Sequence, residues 1–242
     1  MMALARTVLA IEDDASMQRL FRLAIEDDPL ELHLCSNVPE ALGALEHVAF
    51  DLIITDLMLP GESGIGLISR LCAQPSLRQQ AELVVLSAGI TPQQTADLEK
   101  LGVNGFLLKP VSMARLRQVM LHGYSVPSQA TPTESHPVIS YFEGNQALFD
   151  QFAAHCAIQF EMDCKHGDDA ARRQDLSGLY TVVHTLSAAL EMLGEKDMSN
   201  QCRTLMSLTK TSSEHDLATR TWTTLRENLM ALSKRLRFKS LQ

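Results

Sequence analysis

The chain has 242 residues, a formal net charge of −8 and 45% hydrophobic residues. That length exceeds one small domain and suits two, each able to bury a core without disulfides. The acidic balance argues against a broad nucleic-acid footprint, and no apolar run approaches the ~18 residues that a membrane span needs. Most of the acidity sits early: residues 1–124 carry 9 basic and 15 acidic residues, net −6, whereas residues 125–242 carry 12 and 14, net −2. The five cysteines, at 35, 72, 156, 164 and 202, form no CxxC pair, which fits thiols in a reducing compartment. The N-terminus reads as no signal peptide, so a cytoplasmic location is expected.

In chain order, short apolar runs at 8–11, 30–34, 52–55, 83–87 and 106–108 have strand length and are rich in Val, Ile and Leu. The second alternates Leu30, Leu32 and Leu34 with Glu31 and His33, as a more exposed strand does. Between and after these runs lie amphipathic stretches near 16–27, 38–47, 64–74, 91–101 and 112–123. Strands alternating with helices predict a parallel, doubly wound α/β sheet, whose ligands sit at the carboxyl ends of its strands.

Residues 125–137 contain three prolines and little apolar content, and read as a linker. Fully extended, they span at most ~45 Å. Beyond them the period becomes helical. Phe149, Phe152, Cys156 and Phe160 form one stripe, and Leu179, Val183, Leu186, Leu190 and Leu193 a second. Met198, Cys202 and Leu205 form a shorter stripe, and Leu225, Leu229, Leu232 and Leu236 a fourth. Four amphipathic helices with no strand predict an antiparallel four-helix bundle over 138–242, after a first domain over 1–124. The basic tail Lys234, Arg235, Arg237 and Lys239 reads as a helix end that complements the helix dipole, with a binding patch as the lesser alternative.

The strand ends of the first half carry the chemistry. The first strand ends in Glu12-Asp13-Asp14, the third in Asp56, the fourth in Ser87 and the fifth in Lys109-Pro110. In a parallel sheet these ends converge on one rim. Crowded carboxylates repel one another unless a cation neutralises them, and all-oxygen ligation favours a hard ion such as Mg²⁺. A metal and a lysine around a carboxylate stabilise a transferring phosphoryl group, and the carboxylate itself is a nucleophile. Taken singly, each acid also reads as a cap or solvated turn, and for Asp14 a helix cap is the better reading.

This set resembles the receiver domain of bacterial response regulators, through Glu12-Asp13, Asp56 with Pro60 and Gly61, Ser87 and Lys109-Pro110. The resemblance covers about residues 5–124. It implies a flavodoxin-like fold and Mg²⁺-dependent phosphorylation of Asp56. Asp13 and Asp56 are then direct metal ligands, Glu12 acts through water, and the Met58 main-chain carbonyl completes the protein's share. Ser87 bonds a phosphoryl oxygen, Lys109 pairs with the phosphate, and Lys109-Pro110 is a cis peptide. Phe106 stands at the family's switch aromatic, with plain strand core as an equal reading.

In the second half His184 stands out among eight histidines. It lies about 100° around the helix from Val183, at or outside the edge of the buried stripe. Three and four positions later come the small Ser187 and Ala188, so an open imidazole is expected there, suited to nucleophilic phosphoryl transfer. An ordinary surface histidine is the plain alternative. Most of the others read as structural: His33 on a strand, His136 in the linker, His166 at a helix end and His215 near a helix start. The segment resembles histidine phosphotransfer (HPt) domains, through His184, Leu186, the small residues and Gly194. It departs from them where the family has Lys and Gly and this chain has Ser187 and Ala188.

Together these features imply a two-component phosphorelay protein, a signalling phosphoacceptor and not an enzyme. Its partners are a sensor histidine kinase and other receiver or HPt proteins, with no membrane and no nucleic acid. The alternative is a receiver-controlled binding module whose helical part docks a kinase or another partner without being phosphorylated.

Overall fold

The computed structural model describes residues 6–126, 136–210 and 215–239. The chain divides into two compact units, Met1–Thr133 and Glu134–Gln242.

The first unit contains five strands: β1 (Arg6–Ile11), β2 (Leu30–Cys35), β3 (Leu52–Asp56), β4 (Glu82–Ser87) and β5 (Gly105–Leu108). All pair in parallel in the order β2-β1-β3-β4-β5. β2 and β5 are the edges, which explains the polar alternation of β2. β3 is buried along its whole length.

The helices between and after the strands are α1 (Ala15–Ala24), α2 (Val38–His47), α3 (Gly64–Ala73), α4 (Pro75–Arg78), α5 (Pro92–Lys100) and α6 (Met113–His122). All but α4 begin after a residue whose side chain accepts a backbone N–H of the first turn. Asn37, Ser63 and Ser112 accept a backbone N–H of the first turn, and Thr91 and Gln94 form a reciprocal capping box. Leu9, Ile11, Ile53, Leu83 and Val85 pack with α2, α3 and α5 residues such as Ala41, Leu67 and Leu98 on one face of the sheet. The alternate residues Val8, Ala10, Leu52, Ile54, Val84 and Leu86 are equally buried on the other, and α1 packs against α6. The four-residue α4 is absent from the sequence reading, which has no periodicity to use over so short a span. Phe106 is half-buried and packs on the α2/α3/α5 side of the core.

The second unit holds α7 (Pro137–Phe142), α8 (Gln146–Arg172), α9 (Leu176–Met192), α10 (Lys196–Leu208) and α11 (His215–Lys239). α8 packs on α9 and α11, and α10 also packs on α9 and α11. The stripes expected from sequence are the buried faces, with Phe149 and Leu236 only half-buried. Trp222 joins them at 1% exposure. Gly167 on α8 makes room for it, since a Cβ there would lie 2.0 Å from the indole ring. The indole N–H and Arg226 both donate to Asp168, at 3.0 and 2.7 Å. Two expectations are corrected. Pro137 opens α7 and does not belong to a linker, because a proline at the first helical position lacks only an N–H that has no partner there. His166 lies inside α8, which runs on to Arg172, so it is not at a helix end. Most of the expected linker, 127–135, lies outside the described residues.

Candidate functional site

The parallel register brings the C-terminal ends of β1, β3, β4 and β5 to one rim. Glu12 follows β1, and its N–H extends the ladder by donating to the Cys35 carbonyl at 2.9 Å. Its own carbonyl accepts from Gln18 Nε2 of α1 at 2.6 Å. Asp14 caps α1, with Oδ1 accepting the Ser16 N–H at 2.8 Å, as expected for a cap. It also donates its N–H to Glu12 Oε1 at 3.3 Å, so the cap orients the neighbouring carboxylate.

Asp56 ends β3 and lies opposite Leu86 of β4. Its Oδ1 accepts the Met58 N–H at 2.9 Å, and its carbonyl accepts the Thr55 hydroxyl at 2.9 Å. Gly64, the first residue of α3, donates its N–H to the Leu57 carbonyl at 3.1 Å. A Cβ on Gly64 would sit 1.9 Å from the Asp56 carbonyl oxygen. Glycine is needed there for close backbone approach, which brings the start of α3 against the Asp56 peptide. Gln18, Thr55 and Gly64 are absent from the sequence reading. None lies in a chemical motif, and only the fold places them beside Asp56 and Glu12.

Lys109 directly follows β5 and is joined to Pro110 by a cis peptide bond. Its N–H donates to the Ser87 carbonyl at 2.8 Å, which extends the β4–β5 ladder into the pocket. Its ammonium lies 2.6 Å from Asp56 Oδ2 and 2.6 Å from Glu12 Oε2. Carboxylate oxygens of Glu12, Asp13 and Asp56 all lie within 4.8 Å of one another. Three carboxylates and one ammonium leave the cluster two charges negative when all are ionised. Burial pushes the Glu12 carboxyl well above the ordinary carboxylate range, with Lys109 pulling the other way and Asp56 and Asp14 adding to the rise. Asp13 is raised for the same first reason. Burial disfavours the Lys109 ammonium, but Glu12 and Asp56 outweigh it and hold the pKa above the ordinary lysine value. Ser87 is buried beside them. Its hydroxyl donates to the Gly89 carbonyl at 3.0 Å and accepts the Gly89 N–H at 3.3 Å. The Met58 side chain and Leu108 are large apolar groups left exposed.

In the second unit His184 is half-buried on α9, and the Tyr180 ring lies 5.8 Å away at 35° to it. Ser187 and Ala188 do not form an open face beside it, contrary to expectation. Both are buried, and the Ser187 hydroxyl and carbonyl meet the Ser199 hydroxyl of α10 at 3.3 and 3.1 Å. A helical wheel shows that Ser187 lies near the stripe but not that α10 packs over it. Within the basic tail, Arg235 pairs with Glu195, and Arg237 pairs with Glu161 at 2.8 Å. Cys35, Cys156, Cys164 and Cys202 are buried, Cys72 is exposed and all five are unbridged.

Residues 8–121 match the family model described as the response regulator receiver domain. The first unit carries a receiver domain. The sensory/regulatory protein RpfC of Xanthomonas campestris is 30% identical to the chain over 151 residues, 60% of this chain and 21% of that protein. The histidine-protein kinase BarA of Escherichia coli is 24% identical over 233 residues, 88% of this chain and 25% of that protein. That alignment runs past the receiver into the helical unit. The chain therefore spans about a fifth to a quarter of the length of these relatives. A response regulator structure from Burkholderia pseudomallei, with a phosphorylated aspartic acid and a calcium ion, is 25% identical. It covers 48% of this chain and 66% of its own, with a TM-score of 0.43. No helix among the described residues is long and apolar enough to cross a membrane.

Proposed function

We propose that this chain is a phosphorelay protein in which the receiver accepts a phosphoryl group on Asp56 and His184 of the helical unit receives or donates one. The observation that carries the first half is the Lys109 ammonium bound to both Asp56 and Glu12 at the rim where three carboxylates converge. In the reaction an Asp56 carboxylate oxygen attacks the phosphorus of the donor. The bond from phosphorus to the donor breaks, and the donor leaves with that electron pair. Asp56 Oδ1 is held by the Met58 N–H, which orients the carboxylate for attack. Lys109 pairs with the new phosphoryl group, and Ser87 donates to one of its oxygens once its hydroxyl turns from the Gly89 carbonyl.

The donor set fits a hard divalent cation: three carboxylates offer oxygens within 4.8 Å, and one lysine leaves their charge incompletely neutralised. Glu12, Asp13, Asp56 and the Met58 main-chain carbonyl would hold Mg²⁺, with Glu12 acting through water. When bound, the ion neutralises charge on the transferring phosphoryl oxygens. Phe106 is the candidate switch aromatic. Its half-burial at the core edge supports both that role and simple packing.

An HPt reading of the second unit is supported by the packing of α8 and α10 each on both α9 and α11, which fits a four-helix bundle with His184 on α9. The alignment with BarA over 88% of the chain adds to it. For transfer to the bundle, an imidazole nitrogen attacks the acyl phosphate and the Asp56 carboxylate leaves. The domain division proposed is a receiver over 1–124, a linker from 125 and a helical unit over 138–242, with α7 moving the start of the latter to Pro137. The partners are a sensor histidine kinase and other receiver or HPt proteins, and the setting is cytoplasmic.

The test uses the full chain with Mg²⁺ and acetyl phosphate, and separately with a phosphorylated partner receiver. Asp56→Asn is expected to abolish the base-labile phosphate on the receiver, and His184→Gln an acid-labile phosphate on the helical unit. Labelling of the helical unit that survives His184→Gln would remove His184 from the route. The half-burial of His184 and the burial of Ser187 favour a second reading, a docking module that binds without transfer. Binding of a phosphorylated receiver by the Asp56→Asn chain with no movement of phosphate would establish it.

A further inference from the structure

Three strands of the receiver carry a group of the acidic pocket at one end and a second, unused set of groups at the other. β1 leads from Arg6 to Glu12, β4 runs from Glu82 to Ser87, and β5 leads from Gly105 to Lys109. The far set holds the segment by which the chain leaves the receiver. Glu82 Oε1 accepts the Tyr124 N–H at 2.8 Å, and Oε2 accepts from Arg6 at 3.1 Å. Gly123 ends α6 at a φ of 85°, where a Cβ would lie 2.5 Å from Glu82 Oε2. The Tyr124 ring is seated on the bare backbone of Gly105, so that a Cβ on Gly105 would be 2.2–2.4 Å from ring atoms. Arg115 of α6 lies over the same ring, 5.1 Å from its centroid, and donates to the Ser125 carbonyl. Gln118 donates to the Ser125 hydroxyl at 3.0 Å.

This seat is more than a helix end running out. It uses a carboxylate, two guanidinium groups, a ring and a glycine from four elements to fix three residues. Its position ties it to the pocket. β5 has four residues and one sheet neighbour. The seat lies about 13 Å from Lys109, four residues at the rise of a parallel strand. Any rearrangement of the Lys109 and Ser87 partners at the rim pulls on β5 and β4, the two strands that present Gly105 and Glu82 to the exit segment. An edge strand gives way first, because it is hydrogen-bonded on one side only.

We propose that Tyr124 is a latch whose seating on Gly105 follows the phosphorylation state of Asp56, and that acceptance of a phosphoryl group unseats it and frees the chain leading to the helical unit. The latch rests on the reading of Asp56 as phosphoacceptor. The latch requires that this contact have two states biased from the pocket, the physical requirement for coupling between separated sites.

Chymotrypsin cleaves after an accessible tyrosine, so the rate of appearance of fragment 1–124 reports unseating directly. The full chain is digested with Mg²⁺ alone and with Mg²⁺ and acetyl phosphate, and intact mass gives the extent of phosphorylation. Two variants are digested without donor: Gly105→Ala, which removes the ring's seat, and Arg115→Met, which removes the clamp over it. Cleavage after Tyr124 is expected to rise about tenfold on phosphorylation and by a similar factor in both variants, since proteolysis follows the population of the open segment. A fully phosphorylated chain cut no faster than the unphosphorylated one overturns the latch. So does native-like resistance in both variants. If acetyl phosphate adds no mass, the reading of Asp56 falls, whereas native-like resistance of both variants to cleavage removes the seat itself.

Discussion

The acidic pocket of the receiver and the His184 face of the helical unit are built in opposite ways. In the pocket each group is held from several directions. Glu12 is fixed through its N–H, its carbonyl and its carboxylate by β2, Gln18, Asp14 and Lys109, and Asp56 by Thr55, Met58 and Lys109. His184 is a half-buried ring 5.8 Å from the Tyr180 ring on the same helix, and Ser187, three residues on, faces inward to α10. The pocket is pre-organised and electrostatically unbalanced. The histidine face is a half-buried stretch of α9. A site that receives charge in its reaction gains from rigid donors set in advance, whereas one that passes a group between proteins needs access more than precision.

The largest expected effect breaks the balance of the pocket. Lys109→Met leaves Glu12 and Asp56 buried with no cation, and removing one partner of such a cluster costs about 3–5 kcal/mol. Urea unfolding followed by far-UV circular dichroism measures it. Millimolar Mg²⁺ is expected to restore part of the loss, and an equal loss with and without Mg²⁺ would remove the cation from the pocket.

The counterpart in the helical unit is Asp163. It is 7% exposed on α8, and burial pushes its carboxyl up to about 6, with the Gln159 side chain donating to it and working the other way. The folded state therefore holds a proton that the unfolded chain releases near pH 4. The contribution of this group to stability is full below that pH, falls as pH rises toward 6 and stays lost above it. Asp163→Asn keeps an acceptor for Gln159 and is expected to stabilise the unit by about 2–3 kcal/mol at pH 7 and to flatten the dependence between pH 4 and 6. Trp222 is the chain's single tryptophan and is buried in this unit, so its fluorescence reports this transition and no other.

The smallest effect sharpens the account of His184. Ser199→Ala removes the hydroxyl that bonds the Ser187 carbonyl and is expected to cost about 1 kcal/mol. If the α9–α10 seam sets the presentation of His184, the same variant slows phosphoryl transfer to the helical unit in a rapid-quench assay. Transfer at the native rate would show that the helix alone presents the ring.

Much of both units was legible in the sequence, for reasons that differ by element. The five strands announced themselves because a sheet covered on both faces demands continuous apolar runs. β2 betrayed its edge position through Glu31 and His33. The stripes of α8 to α11 followed from helical period. The pocket groups were legible because each follows or ends a strand, and the parallel order of the sheet makes those ends converge. Gly64 and Gly105 were not legible, because nothing local distinguishes a glycine needed for close approach from one in a turn. Ser187 was misplaced because helical period orders one helix and is silent about which neighbour covers its flank.

The sequence by itself determined the order of strands and helices, the division at the proline-rich segment and the roster of groups at the strand ends. These depend on period, on turn chemistry and on short-range preference, all written locally along the chain. Only the tertiary structure decided that Lys109 reaches two carboxylates at once, that Ser187 turns inward and that Tyr124 rests on Gly105. Each of those joins residues far apart in the chain through the packing of elements whose relative placement no local pattern encodes.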